Sequence, residues 1–383
     1  MTDRLTVLIT NVRLVGRSGT ETWVLDFARA LQARGHRPVI YTPAPGAIAD
    51  ELRRSTIAVV DDPRQLGVVP DVIHGHHINP TLTALLAFPR TPAVFFIHDR
   101  LAPTDQPVRF PRIRRIVPVD DTCADRALEA GFTDDEVQVV LNFVNLDRFA
   151  RRPPLPAGKP ARAAIFDHTA TRDNHARAIV EACERAGIAL DFIGRGGGAA
   201  TDRPEDLLPR YDLVFAKAKA AMEAMATGCA TIVFNVDGLG GLVTGESFDW
   251  MRRLNFGRRV KISALTTDAV AAQIARYSAD GAAAVCDRIR NEASLDGTVD
   301  EMLALYRVVI AEQKATAPDI DAEYAAIAGV LRELEPDRLI MGYRTRIEAQ
   351  FARWRRRVQW YERFTLLGLI RSTIRRLRGR RMD

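Results

Sequence analysis

Short apolar runs alternate along this chain with longer stretches whose apolar positions recur at helical spacing. Residues 6–10, 38–41, 72–74, 93–97, 115–119 and 137–141 predict strands, and 20–34, 49–54 and 81–87 predict helices between them. Strands that are apolar on both sides and separated by helices predict a parallel sheet covered on both faces. At residues 151–161 the pattern breaks, because four prolines, a glycine and basic residues cannot form a regular element. Beyond this linker the alternation restarts. Strands are predicted at 163–166, 190–193, 213–216 and 231–235, helices at 174–186 and 218–226, and mainly helix after Asp268. The expectation is an α/β protein with one parallel-sheet domain over residues 1–150, a second over 162–314 and a helical extension over 315–383. Two such sheets place a ligand cleft between them, at the carboxyl ends of their strands.

Composition narrows the class. With 383 residues, 47% hydrophobic and 27% charged, the chain suits two globular domains and not a disordered or fibrous protein. No apolar run approaches the ~18–20 residues that span a bilayer, and Leu5 to Thr10 reads as a buried strand, not a secretory signal. Cys123, Cys183, Cys229 and Cys286 lie far apart without a C-x-x-C pair, so buried thiols in a reducing cytoplasm are expected. The net charge of +6 is uneven: residues 344–383 hold 13 Arg and no Lys against three acids, a surplus of +10 that leaves −4 for the rest. This argues against a uniform basic face for nucleic acid and concentrates the positive charge in one tail. There, Trp354, Trp360 and Tyr361 stand among arginines ahead of an apolar stretch at 364–370. The segment suits docking on an anionic membrane surface; a solvated helix or an RNA-binding arm has the same composition.

Chemistry is expected directly after the strands. Gly16, Ser18 and Gly19 lead from the first strand into a helix, where free N–H groups can meet a phosphate; a helix capped by Ser18 or Thr20 explains the same residues. His74, His76 and His77 end one strand and His98 another. Clustered imidazoles can bind zinc, but no carboxylate partner is evident and no metal is expected, whereas His98 is placed to line a cleft. Residues 213–216 run into Lys217 and an Ala-rich helix that carries Glu223 and stops at Gly228. Lys217 there suits a diphosphate, and Glu223 suits a sugar diol. A Lys219–Glu223 surface pair is worth at most ~0.3–0.5 kcal/mol in this orientation and explains little. Gly238, Gly240 and Gly241 predict a second loop that lets backbone amides approach a ligand.

Taken in order, these segments resemble glycosyltransferase family four. The matching text is residues 16–21 with 31–36 (Leu-Gln-Ala-Arg-Gly-His), 70–77 (Pro-Asp-Val-Ile-His-Gly-His-His), 96–99 (Phe-Ile-His-Asp) and 139–149, followed by Glu223 to Gly228 at the end of the E-x7-E signature. The similarity runs from about residue 5 to 310. It implies a GT-B architecture, two Rossmann-like domains facing across a cleft. It further implies a metal-independent hexosyltransferase that retains configuration, takes a nucleotide-sugar donor and needs no cofactor. Together with the basic tail and the scattered cysteines, it leads to the expectation of a saccharide or lipid-linked acceptor hydroxyl in polysaccharide or glycolipid assembly, at a cytoplasmic location peripheral to the inner membrane face. The residues and the resemblance together give His98, Lys217 and Glu223 as the expected catalytic residues, and Gly16, Ser18, Gly19, Arg172, Lys217, Glu223, Gly240 and Gly241 as the expected donor-binding ones. Glu223 would hold the ribose, His98 would lie near the transferred sugar, and the 16–19 loop beside the donor phosphates.

Two positions depart from the family pattern. Phe215 stands where the first glutamate of the signature belongs. Residues 166–172 occupy the place of the family's Arg…Lys pair, leaving Arg172 and Lys217 as replacements. These departures keep open a GT-B binding or scaffold protein that has lost turnover. An NAD-dependent oxidoreductase is a further alternative, opposed by glycine spacing that is not G-x-G-x-x-G.

Overall fold

The computed structural model describes residues 4–198 and 201–333, together with 348, 351–352 and 354–355. Its first sheet comprises β1 (Thr6–Thr10), β2 (Arg37–Tyr41), β3 (Ala58–Val60), β4 (Val72–His76), β5 (Ala93–Ile97) and β6 (Ile113–Pro118). All neighbours are parallel in the order β3-β2-β1-β4-β5-β6. The helices α1 (Gly19–Ala33), α2 (Ala47–Arg54), α3 (Ile78–Ala87) and α4 (Asp121–Glu129) connect or follow these strands. Every residue of β4 and β5 is buried, the reason β5 is apolar throughout, whereas β4 buries His74 and His76.

The second sheet holds β7 (Arg162–Phe166), β8 (Ala189–Ile193), β9 (Leu213–Ala216), β10 (Ala230–Asn235) and β11 (Gly238–Leu242), in the order β11-β10-β9-β7-β8. It is parallel except for β11. Helix α5 (Arg177–Ala186) stops at Gly187 and α6 (Ala218–Thr227) at Gly228, each glycine in the left-handed region (φ +68° and +100°) that ends a helix cheaply. Then follow α7 (Phe248–Arg253), α8 (Thr267–Ile274), α9 (Ala279–Glu292) and α10 (Leu295–Ala315). Residues 319–383 form a separate compact unit, whose described part is chiefly α11 (Ile320–Glu333). The arginine-rich tail expected at 344–383 falls outside the described residues, save for the few named above.

Several expectations are corrected. Residues 137–141 form no regular strand but run beside β6: Val137 makes an isolated bridge to Ile116, and the Gln138 and Val140 N–H groups donate to the Ile116 and Pro118 carbonyls, both at 3.0 Å. The glycines at 238–241 form the edge strand β11, not an open loop. Helix α10 lies inside the span assigned to the second domain, yet it packs on α1, β5 and β6 of the first. Arg34 binds Asp296 there at 2.9 Å, Arg115 binds Glu312, and Tyr306 hydrogen-bonds His74. The apolar stripe of a helix shows that it packs but not which sheet receives it. All four cysteines are buried and unpaired. Among the described residues no helix is long and apolar enough to cross a membrane.

Candidate functional site

In each sheet the strand order reverses once, between β1 and β4 and between β7 and β9. Open α/β sheets bind ligands outside the carboxyl ends at such a reversal. The first reversal presents the loop after β1 together with His76 and His77. The second presents Asp167 and Lys217.

The first face is closed by hydrogen bonds. The buried Glu21 carboxylate accepts the N–H groups of Val15 (2.7 Å), Gly16 (2.9 Å) and Ser18 (3.0 Å). Burial pushes this carboxyl up, but those bonds outweigh it and hold it below the usual range. The Gly16 and Ser18 amides expected beside donor phosphates are therefore spent on Glu21, while Gly16 and Gly19 have open space where a Cβ would stand. Asp105, 2% exposed, accepts the His98 and Asp99 N–H groups at 2.9 and 2.8 Å and so pins the turn after β5. The His98 Nε2 lies 2.6 Å from His76 Nδ1, with the rings stacked at 4.7 Å. Burial, aided by His77 and Lys219, lowers His98 to about 3, so this ring is neutral. His77 accepts the Val12 N–H at Nδ1 and turns Nε2 toward Asp105, 3.8 Å away. Among the described residues no group of three or more His, Cys, Asp or Glu is arranged to hold a metal ion.

The second face is charged. Strand β9 passes to α6 through one residue, Lys217, and Phe215 is fully buried within the strand. No carboxylate stands at the position of the first signature glutamate. The Lys217 ammonium lies 2.8 Å from Asp167, whose other oxygen takes the Thr169 N–H and hydroxyl (both 2.7 Å) and the Ala170 N–H (3.0 Å). Burial pushes Asp167 up, but Lys217 and Thr169 prevail and bring it down to about 2. Lys217 is thus partly neutralised, though its side chain stays 37% exposed. A glycine run after β8, absent from the sequence expectations, packs against this turn: a Cβ on Gly194 would meet the Asp167 carbonyl oxygen at 2.2 Å.

Glu223 on α6 is 7% exposed and accepts no hydrogen bond at its carboxylate among the described residues. Burial raises it to about 7 against the opposing pull of Lys219 and Arg148. Lys219 reaches instead across to α1, 3.4 Å from both Asp26 and Thr22, with the Phe143 ring 5.2 Å from its nitrogen. Arg148 binds Glu205 at 2.8 Å. The structure thus gathers Glu223, Lys219, Arg148 and Asp26 between the domains, and sequence reading found only the first of these as a site residue. Lys219 and its partners come from remote segments that carry no local motif.

Two expected donor contacts lie elsewhere. Arg172 is exposed with its guanidinium over Phe192 (5.7 Å) and touches neither Lys217 nor Glu223. Gly240 and Gly241 are buried in β11, where a Cβ on Gly240 would meet Val260 at 2.8 Å and Val233 at 2.9 Å. These glycines serve close packing within an edge strand, where an open loop was expected.

Residues 17–148 match the model of Glycosyltransferase Family 4. No curated protein matches the chain. A solved glycosyltransferase from Rickettsia africae aligns with 15% identity and a TM-score of 0.61, over 80% of this chain and 99% of that one. The Anabaena HepE protein, solved in complex with UDP and glucose, aligns with 13% identity and a TM-score of 0.56, over 79% and 99%. Sucrose-phosphate synthase from Thermosynechococcus elongatus gives 12% and 0.53, over 81% and 100%. Identities this low speak to the fold. The chain is a GT-B-fold protein, two Rossmann-like domains facing across a cleft, whose residues 17–148 match the Glycosyltransferase Family 4 model.

Proposed function

We propose that the chain transfers a hexosyl group from a nucleotide sugar to an acceptor hydroxyl, with retention and without a metal. The observation that carries this reading is Glu223, a buried carboxylate with no hydrogen-bond partner among the described residues, set between the domains near Lys219 and Arg148. A carboxylate buried in this way is costly until something donates to it. A ribose diol supplies two donors. Lys217, at the start of α6, meets the departing diphosphate together with the positive end of the helix dipole, and so stabilises the charge that develops as the glycosidic bond breaks. His98, neutral and at the end of β5, faces the transferred sugar.

Asp167 on Lys217, and Phe215 in place of a glutamate, support a second reading: a GT-B protein that binds the nucleotide sugar without turning it over. Calorimetric titration with UDP-glucose and GDP-mannose tests both. Glu223→Ala and Lys217→Ala are expected to weaken binding about tenfold or more, the worth of one charge-assisted hydrogen bond. Unchanged affinity in both variants overturns the site. Release of free nucleotide in the presence of a saccharide or lipid-linked acceptor separates the transferase from the binder.

The arginine surplus of residues 344–383 supports polysaccharide or glycolipid assembly at the inner face of a membrane, with the enzyme docked from the cytoplasm. The full chain is expected to float with vesicles containing anionic phosphatidylglycerol at low salt and to be released at high salt. Flotation that ignores lipid charge removes this part of the proposal.

A further inference from the structure

The first face holds a buried histidine that the reaction above leaves unused. His76 ends β4 with no exposed surface, and its Nε2 has no hydrogen-bond partner. Its Nδ1 faces His98 Nε2 at 2.6 Å. The backbone is held at both residues: the His76 main-chain N–H donates to Thr10 Oγ1 (3.1 Å) and the His98 main-chain N–H to Asp105 (2.9 Å). The strand itself is tightly set just before His76, since a Cβ on Gly75 would meet Thr81 at 2.5 Å.

Two neutral rings that face each other nitrogen to nitrogen share one proton between those nitrogens. If His98 Nε2 carried it, the proton of His76 would sit on its own Nε2, an N–H buried beside Trp23 and Phe96 with no acceptor. If His76 Nδ1 carries it, the unpartnered atom is a bare lone pair and His98 keeps its proton on Nδ1. Orphaned buried N–H groups are rarer in folded proteins than under-used acceptors. We propose that His76 is a positioning residue that donates from Nδ1 to His98 Nε2, so that His98 presents its Nδ1–H as a hydrogen-bond donor to an uncharged oxygen of the ligand. A neutral donor of this kind suits a sugar hydroxyl better than a phosphate, which favours cations. That the oxygen belongs to the donor sugar rests on the function proposed above; the tautomer does not.

Long-range proton–nitrogen correlation spectra of the full chain, labelled with 15N-histidine, read the tautomer directly, with the His98 signals assigned by their loss in His98→Gln. The wild type is expected to show His98 protonated at Nδ1 and bare at Nε2. His76→Leu moves His98 toward the Nε2–H form that free imidazole side chains favour. His76→Asn, whose amide donates from near the former Nδ1, restores the Nδ1–H form. A wild-type His98 protonated at Nε2 overturns the proposal, whatever the variants do, so the test does not depend on His76→Leu folding. With UDP-glucose as probe, His76→Leu weakens binding about tenfold and His76→Asn less than about threefold. Equal affinity in His76→Leu and wild type overturns the ligand contact. Failure of the wild type to bind any nucleotide sugar sinks the proposed function and the identity of the oxygen, while the spectra still decide the tautomer.

Discussion

The two sheet ends that face each other are built on different principles. On the first, Glu21 is satisfied by three amides and Asp105 by two, while His74 and His76 bond through Nδ1 to Tyr306 and His98 and leave each Nε2 without a partner. Its carboxylates are already spent on backbone amides, so this face acts chiefly as a preset mould. On the second, Lys217 is shared with Asp167, Lys219 leans across to α1, and Glu223 has no hydrogen-bond partner among the described residues. In a low dielectric, a completed network holds geometry, whereas an incomplete one stays sensitive to any charge or donor that arrives. On the function proposed above, the contrast gives shape to the first domain and affinity to the second.

The largest effect is expected where the charged face is most nearly completed. Asp167→Ala strips the Thr169 and Ala170 amides of their acceptor and Lys217 of its partner at once. Unfolding by urea should show a loss of about 2–4 kcal/mol. The folded-state value of Asp167, about 2, lies below the ~3.9 of an unfolded chain, so its contribution is complete above pH ~4 and disappears as pH falls toward 2. The variant should lack that share of acid sensitivity. A loss under about 0.5 kcal/mol would mean that this turn is organised by something other than its carboxylate.

Much of this was legible in advance, for a reason that also sets the limit. Strands β5 and β9 fall on their predicted residues because a strand buried on both faces must be apolar throughout. The same criterion predicts a full strand at 137–141, where the chain lies along β6 with a few backbone hydrogen bonds but only one isolated bridge. It also misses β11, whose glycines carry no strand signal and are explained only by Val260 and Val233 pressing on Gly240. Lys217, Glu223 and His98 stood out because each follows or adjoins a buried strand. Asp26, Arg148 and Asp167 did not, because a charge's partner is chosen by the fold, and Lys219 lies 193 residues from the Asp26 that it meets. Lys219 and Glu223, four residues apart, were weighed as a local pair, whereas the structure sends the lysine to another domain.

A smaller effect distinguishes the two faces by the sign of their pH response. Glu223 in the folded chain titrates at about 7, well above the ~4.3 of an exposed glutamate. A carboxyl raised in this way favours the folded state fully below pH ~4.3, and that benefit is lost as pH rises through 7, because the unfolded chain ionises first. His98 behaves in the opposite sense. Held near 3, it favours the folded state above the ~6.5 of a free imidazole and loses that benefit as pH falls. Glu223→Gln therefore should leave stability nearly unchanged at pH 4.5 and exceed the wild type by about 1–3 kcal/mol at pH 8. Urea titrations of both proteins at pH 4.5, 6.5 and 8 give the comparison. A gap that does not widen with pH would show that Glu223 finds a partner in solution, and the claim that the second face waits for its ligand would fail with it.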